Sequence, residues 1–156
     1  MQRQVTSSFP MTTALRTPIL ASVLKSRAIC LAVTGATILQ LSLVALGLPG
    51  WRSPILAFFG VPDPGGGLTR AIVAFLRGDW QTALTFHAFA PFFIVALTLI
   101  AAAAVLPASP RDKIISWVEN VEVRTGLTAI LLICLVVYWL GRLFFLGAAY
   151  ITLIGG

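Results

Sequence analysis

The sequence predicts an all-α integral membrane protein: three transmembrane helices, with a short amphipathic interfacial helix in the first loop. Residues 28–48, 86–106 and 126–146 are apolar runs without an acidic residue. Each is long enough to cross a hydrocarbon layer of about 30 Å as a helix rising 1.5 Å per residue. Their Leu, Ala and Val content shows none of the alternation of barrel strands, and in lipid a helix pairs its backbone N–H and C=O groups within its own segment. With 156 residues, 58% of them hydrophobic and 10% charged, the chain has no room for a soluble catalytic domain beside these spans.

A polar tail, 1–27, precedes a single membrane domain, 28–156. The tail carries Ser7, Ser8, Pro10, Thr12, Thr13 and Pro18 and has no apolar periodicity, which predicts disorder or a place on the membrane surface. Ala45-Leu46-Gly47 looks like the cleavage site of a signal peptide, but the polar lead is long for an n-region and the apolar run long for an h-region. An uncleaved anchor is expected. The formal charge of +6 forms no dense stripe, so nucleic acid is not an expected partner. Orientation accounts for the cations better. Arg3, Arg16, Lys25 and Arg27 before the first span, and Arg111, Lys113 and Arg124 after the second, outnumber Arg52, Arg70 and Arg77 in the first loop. The positive-inside rule then places the amino terminus and second loop in the cytoplasm, and the first loop and carboxyl terminus outside. Cys30 and Cys134 lie at different depths and read as packing residues; no Cys-x-x-Cys pair or His cluster offers a metal site.

Loop one carries the most structured message. Val61-Pro62-Asp63-Pro64-Gly65-Gly66-Gly67 is a stiff entry followed by a backbone free to adopt positive φ. Thr69 is the expected cap of a short helix with Ile72, Phe75 and Leu76 on one face and Arg70, Ala74 and Arg77 on the other. Gly78 ends it, and Asp79 caps a helix expected to run through Trp80 and Phe86 into the second span. Gly65, Gly66, Gly67, Thr69 and Arg70 together form a candidate cradle for an anion such as a lipid phosphate. The nucleotide-loop pattern is absent, so ATP or GTP hydrolysis has no support.

Pro64, Gly67, Thr69 and Arg70, the Gly78-Asp79 break and Phe86-His87-Ala88-Phe89-Ala90-Pro91 resemble the domain of unknown function 2752 family of small bacterial, including cyanobacterial, membrane proteins. The family motif is Cys-Pro-x-Cys-Gly-x-Thr-Arg. Asp63 and Gly66 replace both cysteines, so no thiol or metal role carries over. The resemblance runs from Pro62 to Pro91 and implies an architecture and a bacterial inner (plasma) membrane, with a thylakoid as the alternative, rather than an activity.

His87, near the outer end of the second span and four residues before Pro91, is a candidate axial ligand of a pigment or haem. With no second ligand or motif, a hydrogen-bonded interfacial role is preferred and no cofactor is predicted. Arg142 lies four residues after Tyr138 near the outer end of the third span, and is expected to dock that span onto loop one through Asp63 or Asp79. Pro91 is expected to kink the second span or mark its firm start. The aromatic group Trp51, Phe58, Phe59, Trp80, Phe86, Phe89, Phe92 and Phe93 suits an interfacial belt, with Trp117 anchoring the cytoplasmic side near a surface helix over 114–121. Gly35, Ala101 to Ala104, Gly126, Ala129 and Gly141 allow close helix approach. The sequence offers no catalytic constellation. The preferred function is therefore a non-enzymatic accessory or scaffold subunit of a larger membrane complex, with membrane lipids and a membrane-protein partner or a second copy as its contacts. The alternative is a lipid- or small-anion-binding protein, or a minimal membrane enzyme, built on the glycine turn and Arg70.

Overall fold

The computed structural model describes residues 16–48 and 65–155, the side chains of 145–155 excepted. Asp63, Pro64, Trp51, Phe58, Phe59 and the tail before residue 16 lie outside the described residues. Seven helices follow one another there, with no strand among them: α1 Ile19–Lys25, α2 Arg27–Ala45, α3 Leu68–Leu76, α4 Trp80–Phe86, α5 Ala90–Val105, α6 Ala108–Thr125 and α7 Leu127–Gly155. The all-helical class therefore holds. Among the described residues two helices are long and apolar enough to cross a membrane, Arg27–Ala45 and residues Leu127–Phe144 of α7. A third crossing exists only if α4 and α5, bent by 95° at a short break, count as one broken span.

α2 packs along α5, α3 lies against α4 and across the end of α2, and α1 lies on α6. α7 meets α1 and α6 near its start. The core gathers at the end where α1, α2, α5 and α6 meet: Ala21, Leu24, Cys30, Ile100, Ala103, Ala104, Ile115 and Val118. Ala103 and Ala104 let α5 approach closely, as small residues do between membrane helices. Gly35 and Gly141 serve no such purpose among the described residues, since an added Cβ would meet nothing there within 4 Å. Cys30 is buried in this core, whereas Cys134 is exposed on the flank of α7.

Several elements differ from the sequence reading, each for a physical reason. Residues 19–25, within the tail expected to be disordered or to lie on the membrane surface, form α1, whose two ends find partners on α6. The Glu122 carboxylate accepts the backbone N–H groups of Leu20 and Ala21, both at 2.8 Å. At the other end Arg111 Nη2 donates to the carbonyls of Leu24, 2.9 Å, and Lys25, 2.8 Å. An anion at the amino end and a cation at the carboxyl end complement the helix dipole. Lys25 adds a 2.9 Å ion pair with Glu119, exposed enough to contribute little. The polar stretch expected to hold a short helix over 114–121 is helical from Ala108 to Thr125. Ser26 then turns the chain from α1 into α2, its hydroxyl accepting from the N–H of Ile29.

Loop one is punctuated by glycine. Leu68 N–H closes a turn on Gly65 O at 2.9 Å, with Gly67 at φ 85°, a conformation favoured only for glycine. The cap of α3 is thus Gly67 and not Thr69: the positive φ at Gly67 brings the helix start forward, so Thr69 already lies inside it. At the far end Gly78, φ 82°, lets Gly78 N–H reach Phe75 O and Asp79 N–H reach Ala74 O, the two bonds of a Schellman ending. Phe75 and Trp80 pack across this corner, ring centroids 4.5 Å apart.

Candidate functional site

Asp79 opens α4, its carboxylate accepting from Thr82 N–H at 3.1 Å. Hydrogen bonds from the Thr82 side chain and backbone hold the Asp79 carboxyl below the usual carboxylate range. A depressed folded value means that the cap is intact at neutral pH and weakens as pH falls through that value. Thr82 amide protection, read by hydrogen exchange, will accordingly drop at acid pH in the native chain, be low at every pH in Asp79→Ala, and lose its pH dependence in Asp79→Asn, which keeps an acceptor oxygen.

α4 does not continue into the second span. It stops at Phe86, His87 is extended at φ −157°, and α5 starts at Ala90 with Pro91 in its first turn. Pro91 therefore marks a firm start and not a kink, because its missing N–H is harmless only there. A break in a membrane helix is tolerated when its freed backbone groups find partners inside the protein. Here His87 N–H reaches Ala83 O and Ala90 N–H reaches His87 O, each at 3.0 Å. Phe89 N–H donates to His87 Nδ1 at 3.2 Å, and Ala88 N–H to Tyr138 Oη at 3.4 Å.

The Phe86 carbonyl, orphaned by the end of α4, accepts from Arg142 Nη1 at 2.7 Å. The same nitrogen donates to Tyr138 Oη at 2.9 Å, and the guanidinium lies 5.4 Å from the Tyr138 ring centroid. Arg142 thus ties α7 to the end of α4 through a main-chain oxygen, and Asp79 serves Thr82, while Asp63 lies outside the described residues. His87 is fully buried among Phe89, Phe93 and Tyr138, centroids 5.6 to 6.3 Å away. Because Nδ1 accepts, the ring in this arrangement carries its proton on Nε2.

On the other flank of α3 and α4 a groove of about 340 Å³ is lined by Arg70, Arg77, Asp79, Thr82 and Phe86, with Val44 of α2. A second hollow of about 280 Å³ adjoins it, sharing Val73 and Arg77 and continuing along Leu41, Ser42 and Leu76. Arg77 also ties the hairpin to α2, its Nη2 donating to Ala45 O at 3.2 Å. Of the residues suggested for a cradle, Arg70 reaches this groove; Gly65, Gly66 and Gly67 shape the turn ahead of it. Thr82 and Glu122 escaped the sequence reading, in which Arg77 stood only as a cation on the face shared with Arg70 and Arg111 only as an orientation charge. Glu122 left a signal, an acid at helical spacing from Ile115 and Val118 on the buried face of α6. Among the described residues no three His, Cys, Asp or Glu side chains gather as a metal site.

The α3–α4 hairpin, the break and α5 as far as Ala101 fall within one stretch of recognisable sequence. Residues 53–101 match the family model DUF2752. The matched stretch takes in Pro64, Gly67, Thr69 and Arg70 and supports the family resemblance that those residues carry. DUF2752 is described as a protein of unknown function, so the match assigns no activity. No curated protein and no solved structure is significantly similar to the chain. Both the groove and the Arg142 junction are built on the DUF2752 segment, with α2 and α7 completing them.

Proposed function

We propose that this chain is a non-enzymatic membrane scaffold, an accessory subunit that crosses a bacterial membrane three times and offers helix faces to a protein partner or a second copy. The observation that carries this reading is how little the long helices bury against their own chain. Only 6% of the residues in the apolar window of either α2 or α7 are buried. Something other than this chain must line those flanks, and lipid alone gives no reason for the bare Gly35 and Gly141 positions. The polar groups it does bury, Glu122 and His87, hold its own helix ends and break. Lys25, Arg27 and Arg111 lie together at the α1–α6 end, which supports a cytoplasmic placement of that end.

Mild extraction followed by native mass spectrometry tests the proposal. A stoichiometric companion chain or a defined oligomer is expected, and Gly35→Leu with Gly141→Leu should reduce that assembly while leaving helix content and thermal unfolding unchanged. A strictly monomeric chain in both forms rejects the scaffold reading.

A further inference from the structure

We infer that the free flank of α6 is a binding surface for the anionic headgroups of the leaflet in which that helix lies, with Trp117 seated at headgroup level and Lys113 and Arg124 on the phosphates. At about 100° per residue Lys113, Trp117 and Arg124 fall within roughly 40° of one another, a single stripe that Asn120 completes. All four are exposed, Trp117 by 63%. Asp112 and Glu119 lie on the other flank, roughly 100–160° away, where Glu119 pairs with Lys25 of α1. The helix is thus sorted by charge. Of the chain's remaining acids, Glu122 accepts from Leu20 and Ala21 and Asp79 from Thr82, while Asp63 is tied by two residues to Gly65, at the α3 end of α2. About 28 Å of helix separates that end from α6, so the chain's own acids leave Lys113 and Arg124 unneutralised.

Depth makes the occupant a lipid surface. α7 returns beside α5, since Tyr138 packs on Phe89 at the start of α5 with ring centroids 5.4 Å apart. From that contact α7 runs about 17 Å back to Leu127 and α5 about 24 Å on to Val105, so the two ends of α6 differ in depth by roughly 8 Å against its own length of about 27 Å. α6 therefore lies across the end of the bundle. Val105 before it and Leu127 after it are exposed apolar residues, which sets the helix where hydrocarbon gives way to headgroups. The flank turned from α1 faces sideways into that layer, and an exposed indole beside two cations matches a layer that is apolar below and anionic above. This inference rests on the membrane reading and needs no protein partner.

The full chain in nanodiscs supplies the test, with native mass spectrometry counting retained phosphatidylglycerol against phosphatidylcholine of the same chain length. Lys113→Gln and Arg124→Gln should each lower the preference for phosphatidylglycerol about fivefold, the share of one basic residue at an anionic surface. Asp112→Asn shifts the net charge by one unit on the other flank and should leave the preference unchanged. Trp117 reports its own place: the fluorescence lost in Trp117→Phe should be quenched more by brominated phosphatidylglycerol than by brominated phosphatidylcholine. Circular dichroism and amide exchange at Leu20 confirm that the variants keep their fold. A preference unmoved in the folded double variant, or equal quenching by the two lipids, overturns the proposal. So does a companion protein that the double variant releases while the lipid preference stays, which would make the flank a protein surface. A chain that never enters the nanodisc would strike the membrane reading itself, an outcome distinct from either.

Discussion

Glu122→Ala will release α1 from the bundle. Two backbone N–H groups, those of Leu20 and Ala21, lose a carboxylate acceptor that is 3% exposed, and Ala21 itself is fully buried. Charge-assisted bonds of this kind contribute about 1.5–3 kcal/mol each, and a lost cap typically costs about 1 kcal/mol, so a loss of roughly 2–4 kcal/mol is expected. Amide exchange at Leu20 and Ala21 should accelerate in step with a lower unfolding temperature in detergent. Glu122→Gln keeps one acceptor oxygen and should lose less. Arg111→Met, which removes the donor to Leu24 O and Lys25 O, should act through the same helix. With α1 already detached, the second substitution has little left to break, so the double variant should fall well short of the sum. Full additivity, or unchanged exchange at Leu20, would mean that the clamp does not hold α1.

How much of this was legible in the sequence depends on how far each interaction reaches along the chain. The apolar runs announced α2 and α7 because composition alone marks a helix that can face lipid. The Gly78–Asp79 corner was legible because a Schellman ending and an Asp cap are made by residues within six of one another. Thr69 was misread as a cap since nothing in the sequence shows which of three successive glycines takes the positive φ that opens α3. The break at His87 was illegible: Pro91 is compatible with a kink or a start, and only the partners of the freed backbone decide. α1 lay furthest out of reach, because its acceptor is 102 residues away from Leu20. Arg70 and Arg77 could be placed on one face from their spacing, but Thr82 joins them through the packing of α3 against α4.

Arg142, expected to reach Asp63 or Asp79, has the Phe86 carbonyl as an acceptor. A cation near the end of an apolar helix invites a search for an acid, yet a broken helix supplies a carbonyl that no helical bond uses, and Phe86 O fills that role at 2.7 Å. Arg142→Gln should therefore cost about 2–3 kcal/mol, the range for a partly buried charge-assisted bond whose acceptor is left bare. Tyr138→Phe removes the hydroxyl that receives both Ala88 N–H and Arg142 Nη1, and should cost about 1–2 kcal/mol. The two share one network, so their effects should be strongly non-additive. Unfolding temperature in detergent and exchange at Ala88 and Phe89 report the outcome. Acid substitutions separate the two modes of docking: if Arg142 worked through a carboxylate, Asp63→Asn or Asp79→Asn would reproduce the loss seen in Arg142→Gln. Docking through Phe86 O instead predicts that Asp79→Asn leaves the exchange of Ala88 and Phe89 at its native rate.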